Sequence, residues 1–138
     1  MFFSNINLWS VLVAAVAAFV VGYVWYSPAV FGKQWVKASG MTDESMKGKK
    51  EGMAKKLLLS FICTVVTAYI AAVLYHSLYI TSGTQLLALV FAVWLGFTAA
   101  TKSGNIIFAR ESLTVYLINI GHDLVALITM FFVISLFK

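Results

Sequence analysis

The sequence predicts an all-α membrane protein, a bundle of four transmembrane helices with a short interfacial helix after the first span. Three observations predict it. Hydrophobic residues make up 62% of the chain and charged residues 11%, and the mean hydropathy is +0.93. Soluble domains carry roughly 45–50% apolar and about 25% charged residues. A chain of 138 residues has too much surface for its volume to hide so much apolar matter from water. Finally, the apolar residues fall in four continuous stretches, without the alternation of period two that barrel strands require.

A hydrocarbon core of about 30 Å takes about 20 mostly apolar helical residues. Residues 6–27, 57–80, 85–108 and 115–137 meet that length within a single membrane domain of residues 1–138. The leader Met1–Asn5 has no basic residue and the apolar run behind it is too long for a signal peptide, so residues 6–27 read as a retained span. Pro28 ends that span, because proline neither donates nor fits in a helix interior. In the connection 28–56, Val30, Phe31 and Trp35 make an apolar face opposite Lys33, Gln34 and Lys37. That pattern suits a helix lying in the interface, anchored by Trp25, Tyr26, Phe31 and Trp35. Gly40 ends it, and Thr42 caps a second short helix with Asp43 and Glu44 in its first turn and lysines near its end. The loops at Thr81–Thr84 and Ala109–Thr114 are tight, which makes the second, third and fourth spans consecutive antiparallel neighbours.

Lys33, Lys37, Lys47, Lys49, Lys50, Lys55 and Lys56 all lie in the first connection, and Arg110 lies in the third. The second connection has no basic residue, and only Lys138 follows the last span. Basic loops stay in the cytoplasm, so the 28–56 loop is read as cytoplasmic and both termini as outside. The positive charge is gathered in one connection rather than spread over a surface. That favours contact with anionic lipid over nucleic acid.

Ionisable residues within spans are costly, by roughly 2.5–3.5 kcal/mol each, and mark functional candidates. Thr98, Thr101, Lys102 and Asn105 share one face of the third span at helical spacing. Tyr116, Asn119, His122, Asp123 and Thr129 form a stripe on the fourth. Counted from the Arg110–Glu111 turn at about 1.5 Å per residue, Lys102 and Asp123 differ in depth by roughly 6 Å, within reach of a lysine side chain. The candidate intramembrane site is therefore Lys102, Asn105, Asn119, His122 and Asp123. Lys102 either pairs with Asp123 or snorkels to the headgroups. His122 and Asp123 are offset by about 100° and are expected to point at different spots. Ala14, Ala18 and Gly22 on the first span, and Ser60, Thr64, Ala68 and Ala72 on the second, repeat every four residues as surfaces for close helix packing. The single cysteine, Cys63, excludes an internal disulfide and reads as a small packing residue. There is no histidine-rich metal spacing, Gly-rich phosphate loop or nucleophile elbow, so no catalytic residue, metal or cofactor is expected.

The run Gly22-Tyr-Val-Trp25-Tyr26-Ser27-Pro28, followed by Phe31-Gly32 and Trp35, resembles the hallmark of a bacterial membrane family catalogued as domain of unknown function 1761. Trp94-Leu-Gly96-Phe97, Phe108 and Asn119-Ile-Gly121 are similar to its later motifs. The resemblance implies a four-helix protein of bacterial type, in the inner membrane, and no assigned activity. It also implies a tyrosine after Gly121, where this chain has His122 and then Asp123.

The leading functional reading is a small non-enzymatic protein that binds or conducts a proton, ion or small solute through its polar interior. The alternative is a non-catalytic accessory or assembly subunit of a larger membrane complex, and a membrane-embedded enzyme ranks third. Four short spans enclose little volume, which makes a homo-oligomer reasonable. Orientation has a direct check. With Cys63 replaced by alanine, a cysteine at Ser82 is expected to react with an impermeant thiol reagent in intact cells and one at Lys49 is not. The reverse pattern overturns the orientation.

Overall fold

The computed structural model describes residues 5–137. Residues 1–4 of the leader, and Lys138, lie outside the described residues. The four spans run Leu8–Trp25, Met53–Ser77, Gly83–Ile107 and Leu113–Leu136, each long and apolar enough to cross a bilayer. Two short helices, Gly32–Ala38 and Asp43–Lys50, lie in the first connection, and there is no strand among the described residues. The architecture is the all-helical, four-span one expected.

Local chemistry sets the ends. Asn7 caps the first span by accepting from the Trp9 and Ser10 amides. The span stops at Trp25, three residues before Pro28. There the chain doubles back: the Phe31 amide donates to the Trp25 carbonyl at 3.0 Å and the Gly32 amide to the Ser27 carbonyl at 2.9 Å. A Cβ at Gly32 would stand 2.8 Å from the Ser27 carbonyl, so this turn closes only on glycine. The Gly32–Ala38 helix ends with Gly40 at φ +70°. The Met41 amide bonds to Val36 and the Gly40 amide to Lys37, the paired bonds that satisfy a helix C-terminus through a left-handed glycine. Phe31 and Trp35 are half-buried while Lys33, Gln34 and Lys37 are exposed, as the amphipathic pattern predicts. Thr42 and Ser45 cap the Asp43–Lys50 helix reciprocally.

The second span starts at Met53 rather than residue 57 and so takes in Lys55 and Lys56, both exposed. Lysine is a good helix former, and the helix outruns the apolar stretch that revealed it. The third span is not one α-helix. At Leu95–Ala99 it widens into a π-turn, with the Ala100 amide reaching back to Leu95. At Ser103 it tightens, with the Ser103 amide turning to Ala100.

Packing departs from the hairpin expectation. The fourth span touches all three others; the first packs on the fourth and the second; the third leans mainly on the fourth. The second and third spans, though joined by a tight loop, do not pack closely. The place beside the second span is taken by the first, whose Ala14, Ala15 and Ala18 let it approach Ala68, Ala71 and Ala72. With Leu127, Met130, Phe131 and Ile134 of the fourth span and Val90 of the third, these alanines form the buried core. That core fills the end of the bundle remote from the basic connection. Ser60 and Thr64 continue the small-residue stripe of the second span but lie outside the core, and the space they leave is the site.

Candidate functional site: a groove with a charged wall

The fourth span carries the polar stretch Ile118 to Asp123, and five side chains from elsewhere converge on it. The Trp25 indole donates to the Ile118 carbonyl at 2.9 Å, and the Trp94 indole to the Ile120 carbonyl at 2.7 Å. Asn119 Oδ1 accepts from the Tyr26 hydroxyl at 2.7 Å and from the Trp35 indole at 3.1 Å. Lys102 Nζ lies 2.5 Å from Asp123 Oδ2. A carbonyl already bonded along its helix keeps a second lone pair, so the indoles add bonds without breaking the ladder. Tyr116, one turn earlier, gives its hydroxyl to the Ala99 carbonyl at 2.6 Å, at the point where the third span leaves its π-turn.

Glycine makes the close approach workable at two positions. A Cβ at Gly121 would stand 3.1 Å from the Trp25 ring, and one at Gly22 3.1 Å from His122 Nε2. Trp25 has little room to yield, being bonded to Ile118 and stacked on Phe31 at 4.6 Å. His122 is held between the first span and Tyr26, whose ring centroid is 5.2 Å away, and its Nδ1 faces Asp123 Oδ1 at 3.1 Å. The expectation that His122 and Asp123 point at different spots is corrected by this contact. The two carboxylate oxygens stand on opposite sides of the group, and the one nearer the first span meets the ring.

The four expected anchors have partners on the bundle as well. Trp25, Tyr26 and Trp35 are clamped to the fourth span by hydrogen bonds, and Phe31 stacks on Trp25. An indole or phenol packed against a helix face needs an acceptor inside the protein, and residues 118–120 supply it. Asn119 therefore belongs to this latch. Asn105 is exposed, and its backbone carbonyl accepts from Glu111. The tight turn at Ser103 breaks the helical spacing that would have put it on the Lys102 face.

Lys102, His122 and Asp123 form one wall of a groove of about 710 Å³. It is lined by Gly22, Tyr23 and Tyr26 of the first span, Ser60, Cys63, Thr64 and Thr67 of the second, and Thr98 of the third. Cys63 is exposed on this groove rather than packed, because the third span does not close over it. The volume falls within the roughly 300–1,000 Å³ typical of small-molecule sites. The groove residues of the second span were legible only as a packing stripe. Nothing in their spacing tells a packed small residue from one that lines a cavity.

The chain matches the family model described as Protein of unknown function (DUF1761) over residues 9–135, and it belongs to that family. No curated protein and no solved structure matches it. The segments through which the sequence resembles the family, Trp25 to Trp35, Trp94 to Phe97 and Asn119 to Gly121, supply the partners of the latch.

Side-chain exposure is 46% for Lys102 and 23% for Asp123, so the protein encloses the pair only in part. Breaking a fully buried pair costs about 3–5 kcal/mol, and partial exposure brings the expected loss to roughly 1–2 kcal/mol. Lys102→Met and Asp123→Asn are each expected to lose that much detergent stability in thermal unfolding, and the double variant to recover part of it. Single variants as stable as wild type would show a pair that contributes nothing.

Proposed function

We propose that this protein is a small, non-catalytic, multi-pass membrane protein that binds a small solute in the groove beside Lys102, His122 and Asp123, and does not conduct it across the bilayer. One observation carries this reading: the charged wall stands in a groove that has no exit through the bundle. Beyond Met130 the bundle is filled by core residues, with Ala14, Ala15, Ala68, Ala72, Phe131 and Ile134 at 1% exposure or less. An ion or proton path would have to cross that packed half, where among the described residues Ser10 and Tyr75 are buried in the apolar core, Tyr69 packs against it and the Thr129 hydroxyl is turned back onto the Val125 carbonyl of its own helix. Binding requires no such path.

The grouping of charges agrees with a site. Lys102 and Asp123 neutralise one another, His122 can donate or accept, and the walls around them are mostly apolar. Such a pocket orients a ligand with a few polar contacts and holds it by its apolar body. Placement of the basic connection at the cytoplasmic, anionic leaflet accords with its exposed lysines, and belongs to the same proposal. The second reading, an accessory subunit of a larger membrane complex, draws on the same ion pair taken as a clasp for the third span, of which only 11% is buried.

Solvent extracts of protein purified in mild detergent separate these readings. A compound that co-purifies with wild type near stoichiometry and is lost from Cys63→Phe and Thr64→Phe is the expected result. Liposomes carrying wild type are expected to pass protons no faster than empty ones. Equal extracts from wild type and the filled-groove variants would contradict binding in the groove. Proton flux above the empty-liposome rate would favour conduction.

A further inference from the structure

We infer that the groove takes a lipid-soluble molecule with an uncharged hydroxyl or carbonyl head, which enters sideways from the bilayer between the second and third spans. This rests on the groove being a binding site. The entry route follows from which sides of the groove are shut. At the far end the alanine and Phe131 core closes it. At the end near the basic connection stands Tyr26, pinned to Asn119, with Trp35 bonded to the same oxygen behind it. The first and fourth spans, packed together, make the floor. The second and third spans lack close packing with each other, and both contribute lining residues to that flank of the groove. A molecule arriving through that flank comes out of hydrocarbon.

The head group follows from charge. Lys102 and Asp123 sum to zero, so an added anion or cation would leave an unbalanced charge in a poorly solvated place, the costly state. A neutral head does not. An ammonium carries three N–H donors; Asp123 takes one, and nearly half of the Lys102 side chain is exposed. It therefore has donors to offer a hydroxyl or carbonyl oxygen. The body follows from the remaining walls. Thr64 and Thr67 turn their hydroxyls back onto the Ser60 and Cys63 carbonyls of their own helix, at 2.9 and 3.1 Å. Phe19, Leu127 and Met130 face the same space, which suits a hydrocarbon chain.

The test uses three photoreactive probes that share one diazirine-bearing hexadecyl chain and differ in head: an alcohol, a carboxylate and a trimethylammonium. Each is added to liposomes containing the full-length protein, irradiated, and its cross-links are mapped by peptide mass analysis. The alcohol is expected to label the segments around Ser60–Thr67 and Ala126–Met130 saturably, with competition by plain hexadecanol. Its labelling there is expected to exceed that of either charged probe by about tenfold, because either charged head leaves the site with an unbalanced charge. Thr64→Phe and Cys63→Phe, two separate fillings of the groove checked for folding by thermal unfolding, should each remove this labelling and spare that of the outer helix faces. The double variant K102M/D123N should weaken it about tenfold by removing the head contact. Labelling confined to outer faces, or stronger labelling by a charged probe, overturns the inference. If a water-soluble compound nonetheless co-purifies with wild type and is lost on filling the groove, the groove still binds and only the lipid-soluble ligand and lateral entry fall. If filling changes neither the extract nor the labelling, both readings fall together.

Discussion

A polar group carried into hydrocarbon must find its partner within the protein, and in this chain that requirement falls most heavily on the stretch Ile118 to Asp123 of the fourth span. Two backbone carbonyls, one amide side chain and one carboxylate there receive Trp25, Trp94, Tyr26, Trp35 and Lys102. The rest of the arrangement depends on this convergence. It fixes the angle at which the first span meets the fourth and folds the Gly32–Ala38 helix back over the end of the bundle. It also draws the third span onto the fourth. Each such bond is worth only about 0.6 kcal/mol on average in a membrane interior, so their effect comes from number and from fixing one geometry. Lipid offers little net driving force to distinguish one apolar helix face from another, and polar contacts with a definite direction supply that discrimination.

The same convergence leaves the groove. Alanines close the far half of the bundle by letting backbones approach. In the near half Gly22 and Gly121 make room for rings rather than for backbone, and those rings belong to the first and fourth spans. Nothing comparable draws the second and third spans together. The space between them is therefore a consequence of where the large and small residues lie, and the Lys102–Asp123 ion pair stands at its edge. Its two charges need each other because neither has water enough to stand alone.

Much of the fold was legible in the sequence, because the length and continuity of the apolar stretches are strong signals in a membrane protein. Pro28, Gly40 and Thr42 marked real ends, and the amphipathic face of Phe31 and Trp35 was correctly read. Arithmetic along two antiparallel helices brought Lys102 within reach of Asp123, where the structure places it. What failed was regularity. The tight turn at Ser103 undid the assumption of even spacing and moved Asn105 off the Lys102 face, and a rigid wheel did not anticipate that neighbouring His122 and Asp123 could touch. Adjacency also misled: a tight loop at residues 81–84 did not make its two helices close partners. Cys63, Ser60 and Thr64 looked like packing residues, and only the position of the third span shows that they border open space. The sequence showed where the tryptophans lie along the spans but not the acceptors on the fourth span that their N–H groups meet.

The claim on which this account turns is that Lys102 and Asp123 are paired inside the bilayer, at the wall of the groove. The most direct measurement is a solid-state NMR dipolar recoupling experiment on the protein in lipid, with the lysine Nζ labelled in nitrogen and the Asp123 carboxyl labelled in carbon. The account predicts a strong Lys102-dependent coupling, in keeping with the 2.5 Å contact between Nζ and Oδ2, that disappears in Lys102→Met. An Asp123 carboxyl showing no coupling to any lysine, with Lys102 exchanging freely with headgroup water, would contradict it.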